Sequence, residues 1–264
     1  MTAGPLEGAS VLITRPEGRG TELARKIAGA GGEAICFPVL EIDLLPSDAM
    51  LSPAGLALDR FALAIFVSVY SVRAMAATLS DSGQFPRNVA VAAIGPATEG
   101  ALENLGIAVQ CLPRDSHDSE GLLRALAALP VSGRDVVIYS GDAGRDALAE
   151  GLRKRGARVH RLACYRRRPN PSPPLERLSQ WLGRPRGILL VTSVAILDAL
   201  LGHVPAREGQ ALFGRPVVTL SERVAAACRA AGFRGPVLTA EGTGSEAILA
   251  ALETLHGTEN QGRD

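Results

Sequence analysis

The sequence predicts an α/β fold: two doubly wound parallel-sheet domains, related by an internal repeat and joined by a two-stranded connector. Three observations predict it. Short apolar runs alternate with helical patterns along most of the chain, three such units occur twice in the same order, and two proline-bounded extended segments fall at equivalent points of the repeat.

The strands come first. ASVLIT, ALAIFV, VAVAAI, DVVIYS, GILLVT and PVVTL are continuous runs rich in Val, Ile and Leu. A strand covered on both faces by helices reads this way, whereas a half-exposed strand alternates. Between the runs lie helices marked by apolar pairs at i and i+4: Leu23/Ile27, Met75/Leu79, Leu148/Leu152 and Ile248/Leu252. Gly31, Gly106, Gly156 and Gly232 follow helical patterns, where a left-handed C-terminal cap favours glycine.

The repeat is read by alignment. VLITRPEGRGTELARKIAGAGGEA (11–34) aligns without a gap on VVIYSGDAGRDALAEGLRKRGARV (136–159), with Leu23 on Leu148 and Gly31 on Gly156. FALAIFVSVYSVRAM resembles PRGILLVTSVAILDAL. VAVAAIGPATEGALENLGI resembles PVVTLSERVAAACRAAGF, with Gly106 on Gly232. The segments FPVLEIDLLP (37–46) and YRRRPNPSPP (165–174) each follow the first unit of a repeat. They predict two antiparallel connectors, near 37–46 and 163–174. One domain is then discontinuous, residues 1–38 plus 167–264, and the other spans 39–166. A cleft between the two is the expected ligand site.

Composition bounds the function. The 264 residues carry 28 Lys and Arg against 27 Asp and Glu, so no general affinity for nucleic acid or membrane surfaces is expected. Cys36, Cys111, Cys164 and Cys228 form no CxxC pair and are expected to be reduced and buried. MTAGPLEGAS has neither a basic region nor an apolar run, so a secretory signal is not expected and the cytoplasm is. No stretch reaches the length of a membrane span, and no long heptad seam is evident, so a monomer is expected. The tail GTENQGRD after His256 is expected to lack order.

Motifs exclude more than they include. There is no GxxxxGK[ST], no GxGxxG after a strand and no GxSxG, and the four histidines lack metal-ligand spacing. What remains is a set of residues at the C-terminal ends of the strands, where open α/β sheets bind ligands. They are Thr14, Arg15, Ser68, Ser71, the Gly95–Thr98 turn with Thr98, Ser140, Gly141, Thr192, Ser193 and Ser221. Each precedes a helix, so each turn offers amide N–H groups and a positive helix end to an anion. Helix N-capping explains the same hydroxyls. Arg15 can fork onto a carboxylate or pair with an acid of the protein itself. Several such turns around one crevice suit spread-out carboxylates better than one compact triphosphate.

At this point the residues resemble a family, the uroporphyrinogen-III synthases. The resemblance runs from about Val11 to Leu255. It rests on VLITRPEGRGTELARKIAGAGGEAICFPVLEI, FVSVYSVRA, AAIGPATEGALENLGI, VVIYSGDAGRDALAEGLRKRGARVHRLACYRR and GILLVTSVAILDAL. It implies two discontinuous α/β domains on a two-stranded connector, and a cofactor-free enzyme acting on hydroxymethylbilane. That substrate is a linear tetrapyrrole with eight carboxylate side chains. The implied reaction expels the terminal hydroxyl as water, inverts the last ring through a spiro intermediate and closes the macrocycle. Left alone, the substrate closes uninverted to the type I isomer, so the protein's task is positioning, with one acid to help the hydroxyl leave. The resemblance favours a tyrosine for that acid, and the CYRR segment places Tyr165 at the connector, at the edge of the expected cleft. A phenol is protonated at neutral pH and can donate. Tyr70 and Tyr139 are weaker candidates, Tyr70 lying in the VSVYS turn.

The sequence also departs from the family pattern. Val67 stands where other members often carry a hydroxyl, and Ser221 and Val224 stand where the other copy of the repeat has Gly95 and Thr98. No single Ser or Thr is therefore expected to be essential. Two other classes stay open on these residues: a non-enzymatic two-lobe module that closes on an anion or tetrapyrrole, and a nucleotide-dependent transferase, which the missing glycine loops disfavour.

Overall fold

The computed structural model describes residues 4–18, 20–45, 48–79, 84–114, 116–143 and 147–261. In chain order it contains β1 (Ser10–Ile13), α1 (Thr21–Gly29), β2 (Glu33–Cys36), β3 (Leu40–Leu44), β4 (Leu63–Phe66), α2 (Val69–Leu79), β5 (Ala90–Ala93), α3 (Pro96–Glu103), α4 (Ser119–Ala125) and β6 (Asp135–Gly141). It continues through α5 (Ala147–Lys154), β7 (Arg158–Pro169), α6 (Leu175–Leu182), β8 (Gly187–Val191), α7 (Val194–His203), α8 (Ala206–Phe213), β9 (Val217–Thr219), α9 (Glu222–Ala230), β10 (Val237–Thr239) and α10 (Ser245–Gln261). The chain forms two compact units, Met1–Glu41 with Arg168–Asp264, and Ile42–Arg167.

The first unit holds a five-stranded sheet in the order β10-β9-β8-β1-β2, with every pair parallel. Its strands are buried on both faces, which is why they read as unbroken apolar runs. Successive side chains point to opposite faces, and the core divides accordingly. Val11, Ile13, Ile188 and Leu190 pack with Leu23 and Ile27 of α1 and Ile248 and Leu252 of α10. Leu12, Leu189, Val191 and Val217 pack with Leu178 and Trp181 of α6 and Ile196 and Leu200 of α7.

The second unit's sheet has the order β3-β7-β6-β4-β5, with β5, β4, β6 and β7 mutually parallel. Ala64, Phe66, Val137 and Tyr139 face Val72 and Met75 of α2. Leu63, Ile65, Val136 and Ile138 face Leu122 of α4 and Leu148 and Leu152 of α5. Each buried aliphatic side chain of these clusters stabilises its unit by roughly 1.5–3 kcal/mol relative to exposure.

The chain passes between the units twice, inside β3 and inside β7, which are neighbours in the sheet. Their bonds step in opposite directions along the two strands. Leu45 N donates to Cys164 O and Asn170 N to Val39 O, with the ion pairs Arg166–Asp43 (3.1 Å) and Arg168–Glu41 (3.1 Å) between them. The connector strands are thus antiparallel, as expected. Partly exposed pairs of this kind contribute about 0–1 kcal/mol each, so the backbone ladder holds the connector more than its charges do.

All four glycines read as caps have left-handed φ: +87° at Gly31, +74° at Gly106, +82° at Gly156 and +102° at Gly232. Two expectations need correction. Cys164 and Cys228 are buried, and burial pushes their thiols up to about 12 and about 11, but Cys36 and Cys111 are only half-buried. Cys36 ends the edge strand β2, and Cys111 makes a lone bridge beyond β5, so neither is covered on all sides. The tail is helical through Gln261, because α10 continues past His256, whose Nε2 meets Glu7 O at 3.2 Å. Pro46 of the connector and residues 262–264 lie outside the described residues.

At the opposite end of the second sheet from its strand C-termini, Asp135 accepts a forked bond from Arg158 (3.0 and 2.5 Å) and meets His160 Nε2 at 2.8 Å. Arg158 first, then His160, holds this carboxyl at about 2. A depressed carboxylate pKa contributes stability that is complete above the unfolded value of about 4 and lost as pH falls through about 2. Asp135→Asn should therefore destabilise the second unit by about 1 kcal/mol at neutral pH. It should also flatten the acid limb between pH 4 and 2, read as thermal midpoint against pH.

Candidate functional site

In the second unit the C-terminal ends of β4, β5 and β6 meet the start of α4 and the middle of β7. Val67, Ile94, Ser119, Ile138, Ser140, Gly141, Leu148, Arg161, Tyr165 and Arg167 are among the residues lining a cavity of about 230 Å³ there. Its floor is apolar, and its polar groups among the described residues are one phenol, two guanidiniums and two hydroxyls. A larger cavity of about 810 Å³ lies along Val89, Leu105 and Ile107 in the same unit, at the N-terminal end of β5. Parallel sheets bind ligands at the other end, and Arg87 is the one charged residue among the described residues lining that cavity, so the smaller one is the better site.

A β-bulge places Tyr165. Ser140 pairs with Ala163, but Gly141 pairs with Tyr165, so Cys164 is an extra residue in β7. Such a bulge re-aims the next side chain. Tyr165 is turned inward and is 3% exposed. Its ring tilts against Tyr70 with centroids 5.5 Å apart, and the Arg167 guanidinium lies 5.7 Å from its centroid. A Cβ on Gly141 would sit 3.0 Å from the ring and 3.4 Å from the hydroxyl oxygen. Gly141 thus supplies the space in which the phenol lies against the backbone. Gly141→Ala should displace the ring and cost about 1–3 kcal/mol by overpacking, with turnover falling as strongly as on removal of the hydroxyl. Comparing kcat for the two variants checks this.

The other tyrosines separate. Tyr139 is fully buried, donates to Met50 O at 2.8 Å and stacks on Phe66, and burial raises its phenol further. It is structural. Tyr70 is buried in α2 and serves as a wall for Tyr165.

Capping accounts for three of the strand-end hydroxyls, Ser68, Ser193 and Ser221. Ser68 Oγ accepts from Ser71 N while Ser71 Oγ donates to Ser68 O. Ser193 Oγ accepts from Ile196 N, and Ser221 Oγ from Val224 N. Thr14 is fully buried and donates to Leu190 O at 2.6 Å, tying β1 to β8. Ser140 Oγ accepts from Arg161 at 3.4 Å, at the cavity wall. Thr98 is buried in the first turn of α3, and its counterpart Val224 is buried in α9, so losing a hydroxyl at 224 removes nothing that points outward. Arg15 and Thr192 are half-buried at the ends of β1 and β8. The second unit's cavity gathers Ser140, Gly141 and Tyr165; Thr14, Arg15, Thr192, Ser193 and Ser221 belong to the first unit.

Sequence reasoning missed Arg161, Arg167, Ile94 and Ser119. The RRR run held a signal. Period 2 along β7 puts Arg167 on the face of Tyr165, while Arg166 and Arg168 pair with Asp43 and Glu41. Among the described residues no cluster of three or more His, Cys, Asp or Glu could hold a metal ion, and no helix is long and apolar enough to cross a membrane.

Two α/β units, each on its own five-stranded sheet and joined by antiparallel strands, define the class: a two-unit α/β protein with a small cavity at the strand C-termini of its second unit. The chain belongs to the uroporphyrinogen-III synthase family, whose model, described as uroporphyrinogen-III synthase HemD, matches residues 21–250. It is 29% identical over 247 residues to the uroporphyrinogen-III synthase of Escherichia coli K12, and 31% identical over 250 residues to that of Salmonella typhimurium LT2. Each match covers 92% of this chain and 100% of the relative. The crystal structure of the Helicobacter pylori 26695 uroporphyrinogen-III synthetase shares the fold, with TM-score 0.61 and 15% identity over 94% of this chain and 99% of that one.

Proposed function

We propose that this protein converts hydroxymethylbilane to uroporphyrinogen III, with loss of water and inversion of the terminal ring, in tetrapyrrole biosynthesis. The observation that carries this reading is the family match across residues 21–250, which contains the whole Tyr165 cavity. In this reading the Tyr165 phenol gives its proton to the terminal hydroxyl, which departs as water. The methylene left behind is electron-poor and is attacked by the substituted carbon of the terminal pyrrole. The spiro intermediate then opens and recloses with the ring inverted, and a ring proton returns to the phenolate. Substrate has become product plus one water, and the enzyme is restored. The Arg167 guanidinium near the ring offsets the negative charge that donation leaves on the phenol.

The domains are two doubly wound sheets made by one repeat. Support comes from register: Val11 pairs with Ala34 and Val136 with Val159, the first and last residues of the two aligned segments. The orders β2-β1-β8-β9 and β7-β6-β4-β5 also match unit for unit under that alignment. The protein works without metal or cofactor and as a monomer, and Arg15 in the first unit binds a substrate carboxylate. The test is consumption of hydroxymethylbilane in the presence of a chelator. Consumption should exceed spontaneous closure, and Arg15→Ala should raise KM about tenfold. Consumption at the spontaneous rate by folded protein would refute the enzymatic reading, and an unchanged KM would remove Arg15 from the site.

A further inference from the structure

The geometry points to Arg161 and Arg167 as the pair that seats one ring of the substrate in the second unit's cavity: together they hold the two acid arms of one pyrrole. This inference rests on the proposed function for the identity of the ligand. Its physical content is a cavity for one acid-bearing pyrrole.

Size is the first argument. Pockets for drug-sized ligands measure roughly 300–1,000 Å³, and a cavity of about 230 Å³ falls below that range. It holds one ring with its arms, not a linear tetrapyrrole. The second argument is lining. Val67, Ile94, Ile138 and Leu148 supply an apolar floor for a flat ring. The third is charge. Eight carboxylates over four rings means two to a ring, and among the described residues two arginines line the cavity. A guanidinium fork matches a carboxylate, and nothing here resembles the glycine-rich amide cradle that a pyrophosphate needs.

Placement sets the two arginines apart from ordinary surface ones. Arg167 lies over the Tyr165 ring, and its neighbours Arg166 and Arg168 are engaged by Asp43 and Glu41. Arg161 donates to Ser140 Oγ, which sets its guanidinium at the wall formed by the end of β6. The two sit along β7 on either side of Tyr165, so a ring held by both arms lies against the phenol. Both arginines bind the ligand, and only Tyr165 meets the leaving group.

The test pairs two measurements on the full-length protein and on Arg161→Gln, Arg167→Gln, the double variant and the two Lys variants. Thermal midpoints confirm folding throughout. In the isomer assay the wild type yields type III. Each Gln variant should raise KM about tenfold and the double about a hundredfold, with part of the product diverted to type I. Lysine keeps the charge but not the fork, and should recover only part of the loss. The second measurement titrates a monopyrrole bearing one acetate and one propionate arm, followed by amide chemical shifts. Shifts should concentrate at Ser119, Ser140 and Gly141 and vanish in the double variant. A wild type that makes only type I refutes the proposed function, and the monopyrrole titration still decides whether the cavity binds this ligand class. A wild type that makes type III, beside a double variant with unchanged KM and unchanged shifts, overturns the inference.

Discussion

Tyr165→Phe will slow turnover of hydroxymethylbilane by about a hundredfold and leave the fold and KM nearly unchanged. The size follows from the role. A positioned general acid contributes about 10²–10⁴, and a hydroxyl on an already reactive substrate calls for the lower end of that range. The fold should tolerate the change because the ring's contacts do not involve oxygen. Tyr70 packs at 5.5 Å between centroids, Arg167 lies over the face, and Gly141 leaves space at the edge. Phenylalanine keeps all three. The pH profile adds a second readout, since loss of the acid should make the remaining rate rise with external acid. Steady-state kinetics giving wild-type kcat for Tyr165→Phe would remove the phenol from the mechanism and leave the cavity a binding site only.

Trp181→Ala carries the largest expected loss of stability, about 3–5 kcal/mol. Trp181 is fully buried in α6, its Nε1 donates to Ser10 O at 3.1 Å, and Arg215 lies 5.2 Å from its ring. Truncation opens a large cavity between α6 and the sheet and removes the indole hydrogen bond to Ser10 O. The loss falls on the first unit, whose core is separate from that of the second. Calorimetry should show the first unit's transition moved down by about 10 °C or more, while the second unit's transition stays in place. A single transition shifted as a whole would mean that the two units unfold together.

Much of this fold was legible because its code is local. The strands β1, β4, β5, β6, β8 and β9 all fall in the apolar runs, and burial on both faces is what removes their polar alternation. The four cap glycines were legible for a similar reason, since a left-handed residue after a helix leaves few choices. β2 and β10 were not read as separate strands. They are sheet edges, only partly buried, and their residues lack the unbroken apolar signal.

The site was less legible. Tyr165 was found through a family resemblance, but its burial depends on one extra residue in β7, and a bulge leaves no mark in an apolar pattern. Gly141 was read as an anion-binding turn, and its contact with a ring brought in from another strand could not be foreseen. The serines were ambiguous by chemistry, because a hydroxyl suited to an anion is equally suited to a helix N-terminus. At Ser68, Ser193 and Ser221 the cap holds the hydroxyl. Arg167 carried a usable signal, the period-2 relation to Tyr165, but it becomes meaningful only once Arg166 and Arg168 are seen to face Asp43 and Glu41, and for Arg161 the extra residue at Cys164 breaks that relation.

The account stands or falls on the isomer of the product. Hydroxymethylbilane generated in situ is given to the purified protein with a chelator, the products are oxidised, and type I and type III uroporphyrins are separated. The account predicts type III from the wild type, with type I prevailing when Tyr165 and the two arginines are replaced. Type I alone from folded wild-type protein, at the rate of spontaneous closure, would contradict it and would make the cavity a binding site for some other acidic ligand.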